Sequence, residues 1–202
     1  MKQLFFFLFL FVICGCKPST EPASSSQVSS INRTLYLIRH AKSSHADTIL
    51  SDFDRPLIKK GKMASKVMGQ QLMHRGILLD KMLISPAKRC KSTAKRIAKA
   101  LSFEKDSIVK DTSLYKCKTQ QLITAIRQLP PQYKSVAIVA HNPSLIQTAN
   151  HFQKDTIFTA VPTAGIIALE FKADSWQNLG HKQGVFLFFD YPKRHKNQFD
   201  DF

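Results

Sequence analysis

Three short apolar runs, at residues 35–38, 82–84 and 136–140, each break off at residues of a different character. The first ends in Arg39-His40, the second in Ser85-Pro86 with Arg89 close behind, and the third in His141-Asn142-Pro143. Runs this short and this aliphatic read as strands buried on both faces. Helical periodicity follows each of them. Met63, Ala64, Val67, Met68 and Leu72 share one face of a helix expected near 61–75. Ala87, Cys90, Ala94, Ile97, Ala98 and Leu101 share one face of the next, whose other side is lysine and arginine. Leu122, Ile123, Ile126 and Leu129 mark a third helix stopped by Pro130-Pro131, and Pro143 opens a fourth. A short strand near 107–110 and two late strands, about 164–171 and 185–189, complete the set. This alternation specifies an α/β fold: one three-layer α/β/α domain with a mostly parallel central sheet.

Parallel strands present their carboxyl ends along one edge, and open α/β folds bind ligands there. The polar breaks after the three runs therefore bring Arg39, His40, Arg89 and His141 to a common edge. Arginine forks suit phosphoryl oxygens, and histidine is a competent nucleophile. Taken singly, each residue has an ordinary structural use: a strand-end cap, a surface helix cation, a satisfied core histidine. The long loop at 41–59, rich in charge, Ser and Asp, has the composition of a functional loop.

The chain resembles the histidine phosphatase superfamily, and within it the small SixA-type phosphohistidine phosphatases. Besides the Arg39-His40 strand end, the resemblance rests on Asp52-Phe53-Asp54-Arg55-Pro56-Leu57 and on Ser85-Pro86-x-x-Arg89 with Thr93. It continues through His141-Asn142-Pro143, Pro162-Thr163 and Tyr191-Pro192-Lys193. The resemblance implies a phosphoglycerate mutase-like fold, with His40 as a nucleophile that becomes a phosphohistidine. It implies that Arg39, Arg89 and His141 bind the phosphoryl oxygens, two guanidiniums and an imidazolium supplying charge compensation without metal or other cofactor. Ser43 and Arg55 are further candidate substrate contacts, although Arg55 can equally pair with Asp52. Larger members carry a glutamate in the segment after the third strand. Here that segment reads Asp111-Thr112-Ser113-Leu114-Tyr115-Lys116. Asp52 or Asp47 is then the candidate proton donor, or no strong acid is needed, because a phosphoramidate such as phosphohistidine leaves easily once its nitrogen is protonated. The missing glutamate argues against a mutase.

The amino terminus gives an address. Lys2 precedes an uncharged, Phe-rich stretch at 4–13, shorter than the about 20 residues a spanning helix needs. Ile13-Cys14-Gly15-Cys16 resembles the bacterial lipobox, with Cys16 as the lipidated first residue of the mature protein. The expected organisation is a signal peptide at 1–15, a Pro- and Ser-rich tether at 16–31, a catalytic domain at 32–193 and a polar tail at 194–202. Lipid on Cys16 implies an envelope location, with the outer membrane favoured by Lys17 after the cysteine.

A net charge of +16 favours anionic partners: a phosphorylated small molecule, a phosphoprotein or an anionic membrane surface. No nucleic-acid motif accompanies it. The lysines are spread over the chain, as a solvated basic surface would have them. Cys90 and Cys117 lack metal-ligand spacing, and outside the cytoplasm a disulfide between them is allowed, but Cys90 falls on the apolar face of its helix, which favours a buried free thiol. A monomer is expected.

Overall fold

The computed structural model describes residues 31–46, 49–155 and 157–198. The signal peptide, most of the tether, Cys16 and Asp47 lie outside the described residues.

The apolar run after Thr34 becomes β1 (Asn32–Arg39), and the run at 136–140 becomes β4 (Ser135–Ala140). They pair in parallel at the centre of a six-stranded sheet. The other strands are β2 (Lys81–Ile84), β3 (Ile108–Lys110), β5 (Ile166–Lys172) and β6 (Val185–Asp190). The strand order is β3-β2-β4-β1-β5-β6. Only β5 runs against the rest, pairing antiparallel with both β1 and β6. The sheet is thus mostly parallel, as the alternation specifies.

Four helices cover it: α1 (Lys59–His74), α2 (Lys88–Ala100), α3 (Thr119–Arg127) and α4 (Ser144–Phe152). Because side chains alternate along a strand, β1 and β4 each feed two cores. Leu35, Leu37, Val136 and Ile138 pack with α3, α4 and Trp176 on one face. Tyr36, Ile38, Ala137 and Val139 pack with α1 and α2 on the other. Gly69 lets α1 and α2 approach closely, since a Cβ there would lie 2.9 Å from the Ile97 Cα.

Three boundaries differ from the sequence reading, each for a local reason. Helix α1 starts at Lys59, because Ile58 is fixed by its N–H to the Lys42 carbonyl and the helix follows at once. Strand β5 starts at Ile166 and not near 164. Ala164 adopts φ 61°, and its N–H donates to the carbonyls of Arg39 and His40, so the chain turns at the strand ends before entering the sheet. The polar segment after Tyr191 is folded through residue 198 as a 3-10 stretch, where His195 Nε2 meets Asp190 Oδ1 at 2.8 Å. Asp190 is buried and also accepts from Arg75 at 3.1 Å, which makes it an anchor for this stretch. Among the described residues, no helix is long and apolar enough to cross a membrane.

Candidate active site

Arg39 is the last residue of β1 and His40 the next. Arg89 sits in the first turn of α2, and His141 follows β4 directly. Sheet register therefore places both histidines at one edge, their ring centroids 5.1 Å apart. Arg89 stands between them and is 4% exposed. Its Nε donates toward His40 Nε2 at 3.3 Å and its Nη2 toward His141 Nδ1 at 3.3 Å.

These partners fix both tautomers. His40 Nδ1 lies 2.9 Å from the Ala41 carbonyl, which can only accept, so Nδ1 carries the proton. The Nε2 lone pair is left facing the guanidinium. Arg89 has only donors, so His141 accepts at Nδ1, and its Nε2 proton goes to Ser85 Oγ at 2.8 Å. Thr93 Oγ1 accepts from the Ala41 N–H at 3.0 Å and donates to the Arg89 carbonyl at 2.8 Å, tying the backbone just after His40 to α2.

Both rings are neutral at ordinary pH. Burial, then the charges of His141, Arg89 and Arg39, push His40 down to about 3 against the opposing pull of the Ala41 carbonyl. Burial and then Arg89 push His141 down to about 4, with Asp52 opposing. This corrects the expected imidazolium at His141: before an anion arrives, the arginines that prepare the site keep that ring uncharged. Since both folded values lie below the ordinary histidine value of 6.5, protons bind preferentially to the unfolded chain. The two rings' contribution to stability is therefore complete above about pH 6.5 and is lost as pH falls toward 4 and 3. We expect the His40 ring resonances in a phosphate-free NMR titration to hold still between pH 8 and 5. A midpoint near 6.5 would contradict this electrostatic assignment.

Arg39 donates Nη1 to the Val161 carbonyl at 2.8 Å, which Asn142 Nδ2 also reaches at 3.0 Å. Arg39 Nε is buried without a hydrogen-bond partner, a donor left over for an oxyanion. Ser43 is 7% exposed and bridges to Leu57, so the structure holds it by its backbone in the loop leading from the site. Lys88, beside Arg89, is exposed.

Asp52 is in the site, in a state unlike the expected one. Arg55 Nη2 lies 2.6 Å from its Oδ1. Arg89 Nη2 and the Tyr115 hydroxyl reach its Oδ2 at 3.1 and 3.0 Å, and Arg89 Nη1 also donates to its carbonyl. Burial alone raises the carboxyl, but Tyr115, Arg89 and Arg55 outweigh it and hold Asp52 below the usual carboxylate range. It has no proton to give near neutrality, which corrects its assignment as a ready general acid. What it does is orient Arg89. Arg55 accordingly pairs with Asp52, its Nη1 lying 2.5 Å from His45 Nδ1.

Two contributors were not evident as such in the sequence. Tyr115, in the segment that lacks the glutamate, packs its ring edge-on against Phe53 and His141. Ser85, noted only as a motif residue, sets the His141 tautomer. Cys90 is fully buried and free, its Sγ 3.6 Å from His141 Nε2, and burial pushes its thiol up to about 12. It stays protonated and inert beneath the site. Cys117 is also a free thiol. Among the described residues, no cluster of three or more His, Cys, Asp or Glu is placed to hold a metal ion.

Residues 35–136 match the family model of the histidine phosphatase superfamily (branch 1). The chain belongs to that superfamily. The matched span holds Arg39, His40, Asp52 and Arg89 and ends before His141. An uncharacterized chloroplastic protein of Arabidopsis thaliana is 38% identical over 84 residues, 41% of this chain and 38% of the relative. An uncharacterized protein of Picosynechococcus is 35% identical over 66 residues, 33% of this chain and 40% of the relative. The matched stretch thus spans well under half the length of these curated relatives. Among solved structures, the protein histidine phosphatase SixA complexed with tungstate superposes with a TM-score of 0.70 at 18% identity, covering 80% of this chain and 99% of that one. A mycobacterial glucosyl-3-phosphoglycerate phosphatase superposes at 0.56 with 12% identity, covering 77% and 97%. At these identities the likeness is one of fold.

Proposed function

We propose that this protein is a metal-independent phosphatase that hydrolyses phosphate monoesters or phosphoramidates through a phosphohistidine on His40. The observation that carries the reading is the tautomer of His40: a neutral ring with its proton held by Ala41, and Nε2 aimed at a buried guanidinium.

In the first step the Nε2 lone pair forms a bond to phosphorus as the bond to the leaving oxygen or nitrogen breaks, its electron pair departing with the leaving group. Attack makes the ring cationic, and the Nδ1–H bond to the Ala41 carbonyl strengthens as that charge appears. Arg89 and Arg39 supply the positive charge that the equatorial oxygens call for, since charge spreads there in the transition state. An incoming phosphoryl dianion also reverses the field at His141, favouring the protonated ring that the arginines otherwise suppress. Water then attacks the phosphohistidine, and His40 departs as neutral imidazole.

Asp52 is ionised, so the leaving group receives little protonic help. Leaving groups that depart readily suit such a site, which is why phosphoramidates that arrive already protonated on the leaving nitrogen or ring, and aryl phosphates, stand first among substrates. The tungstate complex of SixA supports oxyanion binding on this fold, and Tyr115 in place of an acid supports the small branch over mutase chemistry. We expect p-nitrophenyl phosphate to be turned over far faster than an alkyl phosphate. Asp52→Asn should lower kcat/KM for both classes by about tenfold, because it loosens Arg89. A selective loss with alkyl esters would instead show Asp52 delivering a proton. Binding of tungstate without turnover of any phosphate compound would favour a phospho-ligand-binding protein on the same scaffold.

For location we propose a lipid anchor on Cys16 in the bacterial envelope, preferentially the outer membrane, supported by the charged start, the apolar stretch and Gly15-Cys16. The native chain should partition with membranes into detergent, and Cys16→Ser should release it or block its processing. A soluble, unlipidated native product would sink the anchor.

A further inference from the structure

Away from the catalytic edge, the α1–α2 layer carries a groove of about 820 Å³. Lys59, Lys62 and Lys66 of α1 and Lys95, Arg96 and Lys99 of α2 line it together with Met63, Met73 and Ala100. Neither helix contains an Asp or Glu. Arg96 is held in place by its own helix, Nη1 donating to the Ser92 carbonyl at 2.8 Å and to Ser92 Oγ at 2.9 Å. The helices nearly touch at Gly69, where a Cβ would lie 2.8 Å from the Ala100 Cβ. A concave channel with cations from both helices and methionines in its lining is thus built into the fold.

Its dimensions and chemistry select among anionic ligands. From Lys59 to Met73 the channel follows α1 for about 21 Å at 1.5 Å per residue, the length of a helix of about 15 residues. A small anion fills little of that. A flat bilayer meets a row of protruding apolar groups, whereas here Met73 alone is exposed and Met63 is half-buried with lysines around it. Single-stranded nucleic acid favours aromatic stacking platforms, and among the described residues no aromatic lines the channel. Methionine is the adaptable apolar residue of surfaces that receive amphipathic helices.

We propose that this groove docks an acidic, amphipathic helical segment of a partner protein. Its apolar stripe seats on Met63 and Met73, and its carboxylates meet the basic side chains of both helices. On α2 the groove's lining begins at Ser92, beyond the first turn that carries Arg89. Docking itself requires no turnover, and it stands or falls separately from the catalytic reading.

The test uses the full chain and a labelled synthetic peptide of about 15 residues, with leucine at helical spacing and glutamate elsewhere. The comparators are a scrambled peptide of the same composition, phosphatidylglycerol vesicles and oligothymidylate. Fluorescence anisotropy should show saturable binding at least about tenfold tighter for the amphipathic peptide than for the scrambled one. Reversing Lys62, Lys66, Lys95 and Lys99 to glutamate should weaken it by about tenfold or more, while arginine at the same four positions should retain it. A single cooperative thermal transition in each variant keeps the comparison among folded proteins, and the arginine variant serves if the glutamate one does not fold. No binding, equal binding of the scrambled peptide, or tighter binding of vesicles or oligonucleotide would overturn the proposal.

Discussion

Arg89→Ala should lower kcat/KM for p-nitrophenyl phosphate by about a thousandfold or more, beyond the usual scale for one transition-state donor. The excess is expected because the fork has three simultaneous duties. Its Nε addresses the His40 lone pair, its Nη2 reaches both His141 and Asp52, and its Nη1 reaches the Asp52 backbone. Removing it leaves the Asp52 carboxylate held by Arg55 and Tyr115 alone and takes away a cation that, after burial, helps to keep His40 and His141 neutral. Arg89→Lys restores a charge but neither the fork nor the three directions, so it should recover only a small part of the loss. A loss below about tenfold in Arg89→Ala would mean that transition-state charge is met elsewhere.

His40→Ala should abolish turnover, lowering kcat by about ten-thousandfold or more, as removal of a covalent nucleophile does in other enzymes. The same variant should still bind tungstate, since Arg39, Arg89 and His141 remain. Thermal stability is expected to survive, because His40 contributes a polar edge to the site and no apolar core. Residual activity within about tenfold of the wild type would remove His40 from the nucleophile's role.

How much of this was legible in the sequence varies with the physics behind each feature. Strands β1 and β4 are buried on both faces, so their sequences are unbroken apolar runs, and a polar residue in such a run can only be its end. That is why Arg39, His40 and His141 stood out. Arg89 was legible because its helix has an unambiguous apolar face headed by Ser85-Pro86. The turn at Ala164 was not legible, because its positive φ is imposed by hydrogen bonds to Arg39 and His40 carbonyls from a distant strand. Tyr115 lies just beyond a three-residue 3-10 segment, too short to carry a periodic pattern. Protonation states were the least legible of all. Asp52 is held as a carboxylate because Arg55 of its own loop, Arg89 of α2 and Tyr115 converge on it, and His141 is neutral because it is buried, with Arg89 and Arg39 adding to the effect. The sequence brought these residues to one edge, where the structure also places them, but could not assign their charges.

The central claim is that phosphorus is transferred to His40 Nε2, and a rapid-quench experiment addresses it directly. Brief reaction with radiolabelled substrate should leave label on the protein that survives base and is lost in acid, as a phosphoramidate on histidine does. Peptide mapping should place that label on His40, and His40→Ala should carry none. Label on the His40→Ala protein, or an acid-stable and base-labile adduct on the wild type, would contradict the account.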